Sequence, residues 1–284
     1  MAKAKAIVHG AVSLVSAIAN QKGATLGISL IVEAIVGTSP GKGITIQSKN
    51  KTLSSRLINK TVEKILTKKE LEQNKITIIL ESEIPTGYGL KSSSAISSAV
   101  ALACAKIFKP ELTDQQILLA GVDASIESKV SITGAYDDAC SCYFGGFNVT
   151  DNSKKKIIRS EKIPANLRAI ILVPFNRKRG NVKNLKILSS VFLNAWKLAK
   201  NTNYWEAMII NGLATSTILN SDPRIITSLL EKGAIAASIS GNGPAIAAIV
   251  KKGNEHNVKR VFSALEGNII VSKVNNKQAE VYEL

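Results

Sequence analysis

Pro85-Thr86-Gly87-Tyr88-Gly89-Leu90-Lys91-Ser92-Ser93-Ser94-Ala95 lies between an apolar strand-like run, Ile76–Ser82, and a small-residue helical pattern from Ser92 to about Phe108. Its two glycines let the backbone approach a ligand closely and supply dihedrals other residues avoid. The serines place hydroxyls and free backbone N–H groups at a helix start, where the dipole favours an anion. Strand, Gly-rich turn and Ser-rich helix start together read as a phosphate cradle. The plainer alternative is a strand-to-helix connection made of ordinary turn residues.

Two other phosphate-binding signatures are excluded. The nearest approach to G-x-x-x-x-G-K-[ST] is Gly37-Thr-Ser-Pro-Gly41-Lys42-Gly43, which has the wrong spacing and ends in glycine. The dinucleotide fingerprint G-x-G-x-x-G fails because Gly87 and Gly89 are followed by Ser92, with no acidic residue placed for a ribose.

Around this stretch, strand and helix patterns mix throughout the 284 residues, which defines an α+β chain long enough for one large or two modest domains. Strand-like runs are Gly43–Ser48, Ile76–Ser82, Ala169–Val173, Ala234–Ser240, Ala245–Val250 and Ile269–Val274. Helices are predicted at Ser54–Leu66, Ser92–Phe108, Asp114–Ser128, Asn184–Ala199, Trp205–Leu219 and Pro223–Lys232. Thr113-x-x-Gln116 forms a capping box, Asp222-Pro223 starts a helix, and Gly233 ends it. The polar segment Asp151–Lys156 is the best candidate boundary, giving domains of 1–150 and 151–284.

Composition is that of a globular protein, 45% hydrophobic and 20% charged, which argues against disorder. Three cysteines, Cys104, Cys140 and Cys142, have no metal-ligand or redox spacing, and an odd count argues against a disulfide framework; a reducing cytoplasm is the expected home. Lys3 and Lys5 before an apolar stretch, with Ala17-Ile-Ala19 beyond, imitate a secretory leader. His9, Gly10, Ser13 and Ser16 interrupt that stretch and hydrophobicity resumes at Ala24–Val36, so these residues are expected to belong to the fold. Gln21, Lys22 and Glu33 break the only candidate membrane span.

The 37 basic residues against 21 acidic give a net charge of +16, which raises a nucleic-acid reading. The lysines are scattered in short groups such as Lys68-Lys69, Lys154-Lys155-Lys156 and Lys251-Lys252, without interleaved aromatic residues. Neither nucleic acid nor membrane is expected as a partner. The field suits anionic small substrates, and a merely solvated basic surface is the equal alternative.

Two further constellations carry chemistry. Glu127 falls near the end of the helix begun by the capping box, and Thr133-Gly-Ala-Tyr-Asp137-Asp138-Ala139 follows, with its two carboxylates expected on a turn. Phosphoryl transfer needs a hard cation on oxygen ligands and a carboxylate near the attacking hydroxyl. A capped loop is the plain alternative. Near the C-terminus, Ser238-Ile-Ser-Gly241-Asn-Gly243-Pro-Ala245 sits between two strand-like runs, where its glycines permit close backbone approach or merely a hairpin turn.

Together these segments resemble the kinase superfamily of galactokinase, homoserine kinase, mevalonate kinase and phosphomevalonate kinase (the GHMP kinases). The signature Pro-x-x-x-Gly-Leu-x-Ser-Ser-x-Ala is met by Pro85, Gly89, Leu90, Ser92, Ser93 and Ala95. Lys91 replaces a usual glycine, which is similar to the archaeal-type shikimate kinase branch, and Ser-Gly-x-Gly-Pro at 240–244 fits the third motif. The resemblance spans nearly the whole chain. It implies a two-lobed α+β fold, with a ribosomal-protein-S5-like N-terminal lobe and a ferredoxin-like C-terminal lobe. It also implies ATP-dependent phosphorylation of shikimate at its 3-hydroxyl. Homoserine kinase or another small-molecule kinase of the superfamily is the alternative enzyme, and a basic nucleic-acid-binding or nucleotide-sensing protein the non-enzymatic one.

By the same resemblance, residues Pro85, Thr86, Gly87, Tyr88, Gly89, Leu90, Lys91, Ser92, Ser93, Ser94 and Ala95 bind ATP, Ser93 and Glu127 hold Mg²⁺, and Asp137 or Asp138 serves the acceptor hydroxyl. Gly241 and Gly243 lie near the nucleotide and substrate. Arg177 and Arg179 are candidates for the substrate carboxylate, because a guanidinium pairs with it through two parallel bonds; Ser13, Asn20 and Lys22 are weaker ones. One departure stands out. The first motif of the superfamily reads Pro-Gly-Lys, whereas this chain has His9-Gly10-Ala11, so the cation beside the catalytic Asp is missing.

Overall fold

The computed structural model describes residues 2–48, 53–131 and 134–284. Its strands begin with β1 (Lys3–Val15), β2 (Lys22–Pro40) and β3 (Gly43–Ser48). Helices α1 (Ser55–Ile65) and α2 (Lys68–Gln73) lead to β4 (Asn74–Ser82). Three helices follow, α3 (Ser92–Phe108), α4 (Asp114–Glu127) and α5 (Tyr136–Phe144). Then come β5 (Phe147–Asp151), β6 (Lys156–Glu161) and β7 (Leu167–Pro174). The rest comprises α6 (Ser189–Lys200), α7 (Tyr204–Ile218), α8 (Arg224–Glu231), β8 (Ala236–Ile239), β9 (Ile246–Lys251), α9 (Glu255–Ser263), β10 (Gly267–Lys273) and β11 (Glu280–Glu283).

The first sheet runs β11-β1-β2-β4-β3, and β5 and β6 extend it from the start of β2. β2 is long enough to pair with β5 through Lys22–Leu26 and with β4 through Val32–Pro40. β1 alternates inward Ala4, Ala6 and Val8 with more exposed neighbours, as a strand with one solvated face does. From Val8 onward it is buried on both faces, and register shifts at His9/Gly10 and Ser13/Val15 bend it. The stretch that imitated a leader is therefore a central strand. The second sheet, β10-β7-β9-β8, is antiparallel throughout and is backed by α8 and α9.

α3 is enclosed rather than amphipathic. Its Ala and Ser side chains are small on every face, so β1, β2, α1, α4 and α5 can all pack against it. α7 packs on both β8 and β1, which joins the two sheets. Three expectations need correction. Asp137 and Asp138 lie in the first turn of α5, not on a turn between elements, and α5 was not expected at all. The helix expected from Asn184 begins only at Ser189, after a 3-10 segment, Val182–Leu188. The segment Asp151–Lys156 connects β5 to β6 inside the first sheet. Thr113 and Gln116 form the expected capping box, and the carboxylate of Asp222 accepts from the Arg224 amide at the start of α8. Among the described residues no helix is long and apolar enough to cross a membrane.

Candidate active site

The Gly-Ser stretch forms the connection from β4 to α3. Gly87, Gly89 and Lys91 all adopt positive φ (84°, 86° and 67°), which curls the backbone before the helix starts. Gly89 is fixed by packing as well as by conformation, because a Cβ there would lie 1.9 Å from the Ser240 carbonyl oxygen. The Ser240 hydroxyl donates to the Gly89 carbonyl at 2.8 Å, and the Ala245 amide donates to the Tyr88 carbonyl at 3.1 Å. The Pro85–Ala95 loop and the Ser238–Ala245 segment thus form one unit.

A cleft of about 470 Å³ opens beside this unit. Thr86, Gly87, Gly89 and Lys91–Ser94 line one wall, and Asp137 and Asp138 line another. Gly241, Asn242, Arg179 and Ser13 complete much of the rest. α3 has no side-chain cap, and among the described residues the hydroxyls of Ser92, Ser93 and Ser94 make no hydrogen bond. Its first N–H groups also lack intrahelical acceptors, as at any helix start. Serine hydroxyls and free amides at a positive dipole end are an oxyanion site for phosphate.

The two aspartates have different surroundings, because adjacent positions on a helix point about 100° apart. Asp137 is buried, with 3% of its surface exposed. Its Oδ1 accepts from Asn152 Nδ2 at 2.7 Å, its own amide donates to Asn152 Oδ1 at 3.2 Å, and its other oxygen rests where Gly23 has no side chain. Burial, then the adjacent Asp138 carboxylate, raises the Asp137 carboxyl to about 7, although Lys91 and Asn152 oppose this. Asp138 is more open and forms a 2.9 Å ion pair with Lys91 Nζ. Both sit at the N-terminal end of α5, whose dipole favours negative charge there.

Other expected residues fall differently. Arg179 lines the cleft and its Nη1 donates to the Asn242 and Gly243 carbonyls, both at 2.9 Å. Arg177 does not line the cleft; its guanidinium stacks over Tyr88 at 4.6 Å from the ring centre. Gly241 lines it and Gly243 does not. Pro85, Tyr88, Leu90 and Ala95 shape the loop without lining it, Leu90 and Ala95 being in the core. Lys22 pairs with Asp151 at 2.7 Å against Trp196, and Asn20 donates to the Ser189 carbonyl, so neither reaches the cleft. His9 is buried in β1 away from it, and burial lowers its imidazole.

Ser93 stands on the cleft wall, but Glu127 is half exposed at the end of α4 and pairs with Lys64 of α1. Glu127 does not line the cleft that Ser93 faces. Among the described residues no three His, Cys, Asp or Glu side chains gather into a metal site. Thr133, part of the expected carboxylate segment, lies outside the described residues. Asn152 was missed in the sequence, where it is an ordinary polar residue after a strand. So was Ser125, a buried α4 serine on the cleft wall.

A Ser-rich anion site facing a carboxylate across one cleft defines a phosphotransferase with an alcohol acceptor. The comparisons agree. The family model described as GHMP kinases N terminal domain matches residues 56–146, and GHMP kinases C terminal matches 221–267. The chain is 36% identical over 278 residues to a shikimate kinase of Methanobrevibacter smithii, covering 94% of this chain and 95% of that one. It is 34% identical to one of Methanothrix thermoacetophila, covering 97% and 95%. Among solved structures, homoserine kinase from Cytophaga hutchinsonii superposes with a TM-score of 0.76 at 19% identity, covering 98% of this chain and 97% of that one. Mevalonate kinase of Methanococcus jannaschii gives 0.75 at 16%, covering 96% and 98%. The chain belongs to the archaeal-type shikimate kinase family of the GHMP kinases.

Proposed function

We propose that the protein transfers the γ-phosphoryl group of ATP to the 3-hydroxyl of shikimate, a step toward chorismate and the aromatic amino acids. The observation that carries this reading is that one cleft holds both the Ser92–Ser94 start of α3 and the Asp138 carboxylate. The loop cradles the ATP phosphates on hydroxyls and amide N–H groups. The acceptor oxygen attacks the γ-phosphorus, the bond to the bridging β,γ-oxygen breaks, and ADP leaves. Asp138 orients the attacking hydroxyl and takes its proton. Asp137, more deeply buried and with its carboxyl raised by that burial, fixes the start of α5 through Asn152. Positioning and fixed charge then supply most of the acceleration. Mg²⁺ arriving as part of the nucleotide co-substrate would neutralise charge on the phosphate oxygens, with Ser93 the expected ligand that stands on the cleft wall.

Arg179 is the cation for the shikimate carboxylate. Lys91 is paired with Asp138, while the guanidinium of Arg179 has donors beyond the Nη1 that holds the Asn242–Gly243 turn. Three buried free thiols suit a reducing cytoplasm. The test is coupled ADP release with Mg·ATP and, in parallel, shikimate, homoserine and mevalonate. Turnover with shikimate alone is expected. Turnover with homoserine alone overturns the acceptor while keeping the kinase, and silence with all three overturns the reading.

A further inference from the structure

The two departures from the superfamily pattern meet in space. The first motif lacks its lysine, and the ATP loop carries Lys91 where a glycine is usual. We propose that Lys91 is not a phosphate ligand but the residue that positions Asp138, a cation supplied from the ATP loop in place of the one absent from β1. The proposal rests on the kinase reading above.

Lys91 has an awkward backbone. It holds φ 67° and ψ 23° at the start of α3, a left-handed conformation that costs a residue with a side chain about 1–2 kcal/mol and glycine almost nothing. It performs no capping there. What the side chain gains is a fixed place for its ammonium. Only 4% of the side chain is exposed, and Nζ lies 2.7 Å from Ser13 Oγ and 2.9 Å from Asp138 Oδ1. The ammonium therefore crosses the cleft from the nucleotide wall to the acceptor wall.

The surroundings are built for it. Ser13 Oγ accepts from Lys91 and from the Gly241 amide at 3.0 Å, while the Ser13 amide donates to Ser240 Oγ at 3.1 Å. A Cβ on Gly241 would fall 2.7 Å from Lys91 Nζ, so the third segment leaves room for the ammonium as well as for a ligand. Ser13 lies on β1 two residues beyond His9-Gly10-Ala11, which links the departure there to the one at 91. A lysine meant for the phosphates would be expected to leave its ammonium toward the uncommitted serines. This one is engaged by a hydroxyl and a carboxylate on the opposite side.

The test uses the full chain with shikimate as acceptor. Lys91→Gly restores the residue that the backbone favours and removes only the side chain. Its kcat is expected to fall by about 100-fold or more, with KM for ATP and ADP affinity by titration calorimetry changed less than about threefold. Lys91→Arg, which keeps the charge, is expected to recover at least about tenfold of that loss. Should Lys91→Gly not fold, Lys91→Met keeps the buried stem and carries the same comparison. A kcat within about threefold of wild type overturns the proposal, as does a loss confined to KM for ATP, which marks a phosphate-binding lysine. A wild-type protein silent with shikimate instead overturns the acceptor reading, so the two failures are distinguishable.

Discussion

Asp137→Asn tests the electrostatics of the site through stability alone. The native carboxyl is raised from 3.8 to about 7, first by burial and then by Asp138. A group whose folded value is raised contributes stability fully present below the unfolded value near 4 and lost as pH rises through about 7. The whole loss is about 4 kcal/mol, the free energy that separates the two values. Between pH 5 and pH 8 somewhat more than half of it, about 2–3 kcal/mol, is lost. An asparagine keeps the bond from Asn152 Nδ2 and never ionises, so the variant loses this pH dependence. It also leaves an amide N–H short of a partner, a constant offset of about 1–3 kcal/mol that does not vary with pH.

The quantity to measure is therefore the change in the Tm difference, not the difference itself. At about 2 °C per kcal/mol for a chain of this size, the variant should gain about 5 °C on wild type between pH 5 and pH 8. Tm is followed by tryptophan fluorescence at one fixed scan rate. Parallel wild-type and variant profiles across that range would refute the reasoning: Asp137 would then be ionised throughout, its burial offset by Lys91 and Asn152.

The other predictions concern turnover. Asp138→Asn is expected to lower kcat by about 100-fold or more with ADP affinity kept, and equal losses at Asp137 and Asp138 in kinetic assays would undo the division of roles. Gly89→Ala places a methyl where the Ser240 carbonyl stands, so KM for ATP is expected to rise about tenfold or more with a lower Tm; wild-type kinetics and melting would show that the two glycine-rich segments do not dock. Arg179→Met is expected to raise KM for shikimate by about 10- to 100-fold, the loss of a charge-assisted pair, with KM for ATP little changed. A rise confined to ATP would move Arg179 to the nucleotide.

The parts legible in the sequence are those whose signal is local. Gly43–Ser48 and Ser92–Phe108 coincide with β3 and α3, and the Thr113–Gln116 box starts α4. β1 and β2, the longest strands, were not read as strands. Their bulges break the two-residue period, and burial on both faces of β1 beyond Val8 removes the contrast that marks a strand. α5 was hidden because Tyr136-Asp-Asp-Ala-Cys-Ser-Cys-Tyr-Phe144 opens with turn-favouring acids and carries few strong helix formers. The Gly-Ser loop was legible as a candidate site because its residues are contiguous. The placement of Glu127 beside Lys64 and of Arg177 over Tyr88 depends on which helix or loop packs alongside, which no spacing encodes.

The lysine exchange shows why a motif departure misleads when it is judged at its own position. Taken alone, His9-Gly10-Ala11 looks like a damaged first motif, and Lys91 looks like an extra phosphate contact. In the fold, the Lys91 ammonium reaches both Ser13 and Asp138, and Ser13 also accepts from the Gly241 amide. The proposed mechanism calls for positive charge beside the Asp138 carboxylate, and it is indifferent to which strand or loop delivers it. Delivery from the loop brings its own conditions: a left-handed residue at 91, a hydroxyl at 13 to hold the ammonium, and no side chain at 241. All three are met, so the missing lysine and the additional one are a single relocation of charge rather than two defects.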